Sequence, residues 1–272
     1  MKSVPSISIV IPTLNSERTL QECLNSIANQ DYPKDKMEVI VIDNYSSDNT
    51  VEIAKKFTAR VYNKGPERSA QRNFGVEKAK GKYILYLDAD MTLSKTVVEE
   101  CVNKCENENY IALYIPERIS GEKFWSKVRN FERSFYNATV IDCVRFIKRD
   151  KFLDIGGFDL SLTGPEDWDF DRRIKTTGKA DIIDAPLYHN EGEFNLKEYL
   201  PKKGYYIRTL ANYIKKWGRD DPVIRKQLGP WYRLFGVFIE NKKWRRLLKH
   251  PLLTSGIYFL RLAVGLVYLK RR

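Results

Sequence analysis

An α/β fold, with a mostly parallel sheet flanked by helices, is what this sequence predicts. Three observations lead there. Short apolar runs, such as Ile7–Ile11, Val39–Ile42 and Tyr83–Leu87, suit buried strands and are too short for helices. Amphipathic stretches of helical period separate them. The connections are short, as in strands joined by crossover helices. At 272 residues and 43% hydrophobic, the chain suits one large domain or two small ones.

The elements follow in order. Residues 6–11 are a strand closed by Pro12-Thr13-Leu14-Asn15. Ser16 or Asn15 is placed to cap the next helix, whose apolar stripe is Leu20, Cys23, Leu24 and Ile27. Tyr32-Pro33 breaks the chain, and residues 38–43 form a second strand ending in Asp43. A helix follows over 51–57, started with help from Asp48. A short strand at 60–62, a helix over 69–80 and the strand into Asp88 complete this part. Further strands are expected at 110–116 and 142–147, an aromatic amphipathic helix at 124–136, and a turn at 155–159. In such sheets ligands bind at the carboxyl ends of strands, where this chain carries Thr13, Asp43, Asp88 and Asp90.

Charge is placed unevenly. From Leu196 onward there are 19 Lys/Arg against 4 Asp/Glu, a net of +15, whereas residues 1–195 carry 28 against 31. A basic end of this kind suits nucleic acid, an anionic membrane or a phosphorylated ligand. The four cysteines (Cys23, Cys101, Cys105, Cys143) lack zinc spacing, and a reducing cytosolic setting is expected. Met1 to Pro5 leads straight into a strand, so no signal peptide is expected.

Alternation along a strand points Asp88 and Asp90 the same way. Two carboxylates held together favour a hard divalent cation, Mg²⁺ or Mn²⁺, which shares oxygen ligands with a phosphate. The structural alternative is a polar loop whose aspartates cap a helix. Asp43 has its own alternative, an Asx-turn with Asn44 and Ser46. Arg68 and Arg72 lie one helical turn apart and could meet phosphate oxygens, or form a solvated basic face. In Thr163-Gly164-Pro165-Glu166-Asp167-Trp168, Thr163 and Glu166 have capping-box spacing. That accounts for Glu166 without requiring Asp167. A carboxylate at a helix start can act as base toward an incoming hydroxyl. Trp168 is either a floor for a sugar or core.

Four blocks in order resemble the family-2 glycosyltransferases: Ile9–Asn15, Glu38–Asn44 with Ser47–Thr50, Ala70–Gly75, and Asp88-Ala89-Asp90. The match extends over about residues 5–192. It implies a GT-A fold, a nucleotide-sugar donor (UDP- or GDP-linked) and inversion at the sugar carbon. It implies that Thr13 and Asp43 hold base and ribose, with Pro12, Asn15, Glu17 and Arg68 also assigned to donor binding. Arg72 would line the donor pocket, and Asp88 and Asp90 would serve ribose and metal–diphosphate. Glu166 and Asp167 match the acidic pair of the family, with Asp167 as base. His189 would reach the metal or the diphosphate; the alternative is a structural histidine. Leu14 stands where relatives often carry an aromatic residue.

The basic quarter, 196–272, interleaves lysines and tyrosines, which would also suit single-stranded nucleic acid. Trp231, Leu234, Phe235 and Phe238 at helical spacing, followed by Trp244, Leu247 and Leu248 beside Lys242, Lys243, Arg245 and Arg246, favour an interfacial membrane helix instead. Leu252–Leu269 carries only Arg261 as a charge and is barely long enough to span. The expected organisation is a nucleotide-sugar half (1–110), an acceptor and catalytic half (111–195) and a membrane-docking segment (196–272), either docked on lipid or packed as a helical hairpin on the catalytic domain. The expected partners are a lipid-linked acceptor, polyprenyl or dolichyl, and an anionic membrane surface at the cytoplasmic face, with no nucleic acid. Lys202, Lys203 and Arg208 are candidate ligands for the acceptor phosphate. A nucleotidyltransferase of related fold and a non-catalytic nucleotide- or RNA-binding module are the competing readings.

Overall fold

The computed structural model describes residues 4–205 and 209–270, leaving out the side chains of 202–205 and 267–270. The side chains of Lys202 and Lys203, and all of Arg208, therefore lie outside the described residues. The chain begins β1 (Ile7–Thr13), α1 (Leu20–Ala28), β2 (Met37–Asp43), α2 (Thr50–Lys55), β3 (Val61–Asn63), α3 (Arg68–Lys78), β4 (Tyr83–Tyr86). It continues β5 (Met91–Leu93), α4 (Val97–Glu108), β6 (Ala112–Tyr114), β7 (Glu117–Ile119), α5 (Phe124–Arg133), β8 (Phe146–Lys148), α6 (Arg149–Asp154), α7 (Glu166–Lys175), β9 (Ala180–Ile182) and β10 (Leu187–His189). The basic quarter is helical: α8 (Leu196–Tyr205), α9 (Leu210–Trp217), α10 (Pro222–Leu228), α11 (Val237–Ile239), α12 (Trp244–Lys249) and α13 (Pro251–Lys270).

Seven strands form one sheet in the order β3-β2-β1-β4-β8-β6-β9, parallel except where β8 runs antiparallel between β4 and β6. A small second sheet, β5-β10-β7, stands beside it. The two expected halves share the large sheet, because β8 pairs with β4 on one side and β6 on the other. One face packs on α1 and α4 through Leu20, Cys23, Leu24, Ile27, Val98 and Cys101. The other packs on α3 and α7 through Val76, Phe170 and Ile174, with Phe158 from the turn after α6. This burial of period-2 strands between amphipathic helices supplies most of the driving force for the fold.

Two local expectations are corrected. Neither Asn15 nor Ser16 caps α1 with its side chain; Thr19 is the capping position, and the Ser16 carbonyl accepts from the Thr19 and Leu20 amides. Thr163 and Glu166 form no capping box, because Glu166 is already the first residue of α7 and the Thr163 amide donates to Thr209 Oγ1.

The basic quarter packs on α5. Tyr232, Val237, Phe238, Ile257 and Leu260 join Val128, Phe131 and Phe135 in a separate core. Arg261, which sequence placed near the middle of an apolar run, is 8% exposed and donates through Nε to Glu132 Oε1 at 2.8 Å. The predicted single amphipathic helix is broken: 232–236 is a π-helical stretch, and Asn241 turns to φ +54° before α12 begins. Phe238 is buried while Trp231 and Phe235 face out, so the residues read as one stripe serve two surfaces. No helix among the described residues is long and apolar enough to cross a membrane.

Candidate active site

The register Thr13↔Asp43 sets these residues side by side at the carboxyl ends of β1 and β2, with Pro12 buried one place earlier in β1. Thr13 Oγ1 donates to Asp43 Oδ1 at 2.8 Å, and Ser46 donates to the same carboxylate through its amide and hydroxyl at 2.7 and 2.6 Å. The Asx-turn alternative is thus realised, and it organises the strand end. Asn15 Oδ1 accepts from the Ser47 amide at 2.9 Å, and Glu17 Oε2 accepts from Asn49. These contacts tie the loops after β1 and β2 into one rim. Asp48 accepts from the Thr50 amide at 3.0 Å, in the helix-starting role expected of it.

Tyr45 was missed by sequence. It sits on this rim at φ +55° and is 71% exposed. An aromatic side chain in the left-handed region is costly and warrants a functional explanation. The available signal was an aromatic residue inside a run of turn formers, Asp43-Asn44-Tyr45-Ser46-Ser47.

Helix α3 is fixed against the sheet by its own sequence. A Cβ on Gly75 would stand 2.3 Å from Val10 Cγ1, so only glycine permits this approach. Gln71 donates to the Thr13 and Ile42 carbonyls, locking α3 to both strand ends. Asn73 exchanges hydrogen bonds with the Phe158 backbone at 2.9 and 2.8 Å. Arg72 is consequently aimed inward. Its Nη2 donates to Asp88 at 2.7 Å and its Nη1 to Asp167 at 3.0 Å, with the guanidinium over the Tyr86 ring. Sequence placed Arg72 on the wall of the donor pocket. At 1% exposed it joins two carboxylates. Arg68 reaches Glu166 Oε1 at 3.1 Å.

The strand alternation expected of Asp88 and Asp90 does not apply, because β4 ends at Tyr86 and the Met91 amide closes a turn on the Asp88 carbonyl. Asp88 turns to Arg72, with Arg145 Nη1 at 3.8 Å from its other oxygen. Burial opposes its charge, but Arg72 and Arg145 hold the carboxyl well below the usual carboxylate range. Asp90 turns to His189, whose Nε2 lies 3.3 Å from Asp90 Oδ2 and whose Nδ1 lies 2.9 Å from Glu117 Oε1. Burial alone would lower the His189 pKa; its hydrogen bonds to Asp90 and Glu117 outweigh this and raise it, so a cation binding at Nε2 would displace a proton.

Glu117 is buried and also meets Arg133 at 3.1 Å and Arg145 at 3.4 Å. A continuous run of charge therefore joins Asp90, His189, Glu117, Arg145, Asp88, Arg72 and Asp167. Sequence missed Glu117 and Arg145, which lie on strands and loops with no local motif.

Asp90 Oδ1 is buried without a hydrogen-bond partner among the described residues. An unsatisfied carboxylate oxygen beside an imidazole fits a hard divalent cation. Asp88 does not complete a ligand set with them, since two arginines already balance it, and no cluster of three or more metal-ligating side chains occurs among the described residues. Two protein ligands suit Mg²⁺ or Mn²⁺ that draws its remaining oxygens from phosphates and water.

Asp167 stands across Arg72 from Asp88. Arg72 grips its Oδ1, yet the side chain remains 33% exposed. Glu166 is buried, accepts from the Gly164 amide and Arg68, and is pushed toward its protonated form by burial and by the Asp167 charge. Glu166 therefore shapes the start of α7, while Asp167 keeps a partly exposed carboxylate. Trp168 packs between two hydrophobic clusters and on Tyr213, which favours its core role.

Residues 8–159 match the family described as Glycosyl transferase family 2. Glycosyltransferase AglE of Haloferax volcanii is 26% identical over 223 residues, covering 74% of this chain and 73% of that protein. The poly(ribitol-phosphate) beta-glucosyltransferase of Bacillus spizizenii is 35% identical over 238 residues; the chain spans only 37% of its length. In fold, the chain is similar to the mannosyltransferase of Pyrobaculum calidifontis solved with GDP-Man and Mn²⁺, at a TM-score of 0.69, 18% identity, and coverage of 98% of this chain and 88% of that one.

Proposed function

Because the chain belongs to glycosyl transferase family 2 and has a GT-A-like α/β fold, we propose that it is an inverting glycosyltransferase that moves a sugar from a UDP- or GDP-sugar to a lipid-linked acceptor. The observation that carries this reading is that Asp167, Asp88 and Asp90 belong to one network of ion pairs, joined through Arg72, Arg145, Glu117 and His189.

Each residue then has a task. The rim of Thr13, Asn15, Glu17, Asp43 and Tyr45 receives the nucleoside. Asp88, kept ionised by Arg72 and Arg145, accepts from a ribose hydroxyl. A divalent cation at Asp90 and His189 would offset the charge that builds on the departing diphosphate. Asp167 takes the proton of the acceptor hydroxyl as its oxygen bonds to the anomeric carbon and the bond from that carbon to the diphosphate breaks on the opposite face. Arg72 fixes one oxygen of Asp167, so the partly exposed carboxylate is oriented before the acceptor arrives.

A membrane location at the cytoplasmic face belongs to the same proposal. Trp231, Trp244, Leu248, Leu252, Leu262 and Leu266 are exposed on helices that also carry Lys242, Arg245 and Lys249. Tryptophan and leucine beside basic residues suit a surface that lies in the headgroup region of an anionic membrane.

Thermal-shift titration with UDP, GDP and their sugars, with and without Mn²⁺, tests the donor site. Stabilisation that needs Mn²⁺ and disappears in Asp90→Ala is expected. Equal stabilisation with and without Mn²⁺, with no sugar transfer or donor hydrolysis, would favour a non-catalytic nucleotide-binding module.

A further inference from the structure

Two cavities that share part of their lining lie near the β7–β10 pair that carries His189. The inner one, of about 140 Å³, is lined by Ile119, Arg129, Glu191 and Tyr199. The outer one, of about 520 Å³, lies among Trp125, Phe194, Phe259, Glu193, Asn195 and Glu198. Glu193, Phe194, Asn195 and Glu198 line both, so the two form one track. Its inner end adjoins the candidate site: Ile119 is the register partner of His189, and Ile119 and Glu117, two apart on β7, share the face that meets the imidazole.

We propose that this track holds the neutral sugar units of an oligosaccharide acceptor, those between the reacting hydroxyl and its anchor. The walls select this chemistry. Trp125 and Phe194 stack at 5.6 Å between ring centroids, and Phe259, itself half exposed, lies 5.6 Å from Trp125, so the wall is aromatic and offers apolar surface on which sugar C–H groups can rest. Glu193, Glu198 and Asn195 supply acceptors for hydroxyl donors. A phosphate would meet carboxylates here, because Lys123 is paired with Glu193 and Arg129 is held by both oxygens of Glu191 at 3.2 and 3.0 Å. A hydrocarbon chain would strip water from the same carboxylates without replacing its hydrogen bonds. A hydroxyl-rich uncharged chain satisfies both walls, and the outer volume falls in the range of small-ligand clefts, roughly 300–1,000 Å³. The track ends at Phe259 on α13, the helix whose exposed leucines form part of the proposed membrane face. The inference rests on the transferase reading for what the bound glycan is used for, and it narrows the acceptor to an oligosaccharide rather than a bare polyprenyl phosphate.

The test titrates the full chain with maltotetraose, cellotetraose, mannotetraose and N-acetylated chitotetraose, read by tryptophan fluorescence and saturation-transfer NMR without donor. Saturable binding of at least one is expected, weakened tenfold or more in Trp125→Ala. Trp125 also packs on its neighbours, so the exposed Glu198→Ala is run alongside, with a three- to tenfold loss expected. No binding by any tetrasaccharide, unchanged affinity in both variants, or displacement of the bound sugar by farnesyl phosphate would overturn the proposal. Nucleoside diphosphate binding with Mn²⁺, measured in the same samples, reads the transferase proposal separately: its presence beside absent sugar binding marks failure of the track alone.

Discussion

Replacing Arg72 with methionine removes the strut while keeping much of its length and its contact with the Tyr86 and Phe158 rings. Breaking a buried ion pair by deleting one partner costs about 3–5 kcal/mol, because the remaining charge is left uncompensated. Here the lower end applies. Asp88 retains Arg145 at 3.8 Å, and Asp167 is partly exposed, so water screens its share. A loss of about 3 kcal/mol at pH 7 corresponds to a Tm lower by roughly 6–12 °C for a chain of this size. The pH dependence gives the sharper signature. Arg72 helps hold the Asp88 pKa below its unfolded value, so the stability this contributes is fully present above about pH 4 and is lost as pH falls toward the folded value. The wild-type chain should therefore lose stability on acidification faster than Arg72→Met, and the two curves should converge below about pH 4. Urea unfolding of both proteins from about pH 6 down to about pH 2, the range over which the Asp88 contribution is lost, reads this directly. A difference that stays constant with pH, or one below about 0.5 kcal/mol, would refute the view that Arg72 acts as an electrostatic strut.

Tyr45→Gly should relieve left-handed strain and stabilise the fold by about 0.5–1 kcal/mol, after allowing for the freer unfolded chain. It should also weaken nucleoside diphosphate binding by about tenfold if the ring stacks on the base; calorimetry showing unchanged affinity would remove Tyr45 from the site. Gly75→Ala drives a methyl into Val10 and should cost about 1–3 kcal/mol in thermal unfolding, and a neutral result would contradict the close packing of α3. Leu248→Glu with Leu252→Glu should release the protein from anionic vesicles without lowering its Tm, since both side chains are exposed. Deleting the whole basic quarter is the poorer test, because Tyr232, Val237, Phe238, Ile257 and Leu260 would leave the core with it.

Much of the first part of the chain, through Asp88, was legible because its signals are local. Short apolar runs, the stripe of α1, and the Ala70–Gly75 block each act within a few residues, and the structure supplies a physical reason for Gln71, Asn73 and Gly75 that spacing alone does not. The charge run was not legible. His189 meets Glu117 and Asp90 across 72 and 99 residues of chain, and no periodicity marks a partner at that distance. Arg72 shows the limit of residue-type reasoning: a guanidinium suits a phosphate or two carboxylates equally, and its two carboxylate partners lie 16 and 95 residues away. The basic quarter misled in a different way. Helical spacing of Trp231, Phe235 and Phe238 says that a side is apolar, not what covers it, and the π-helical stretch divides those residues between core and surface.

The most direct measurement compares Asp167→Asn with the wild-type chain for both donor binding and sugar transfer. With the proton acceptor removed and the cation and nucleoside contacts intact, donor affinity should stay within about threefold while transfer falls by roughly 10²–10⁴-fold. Transfer that survives this substitution near the wild-type rate would contradict the assignment of Asp167 as the base, and with it the proposed mechanism.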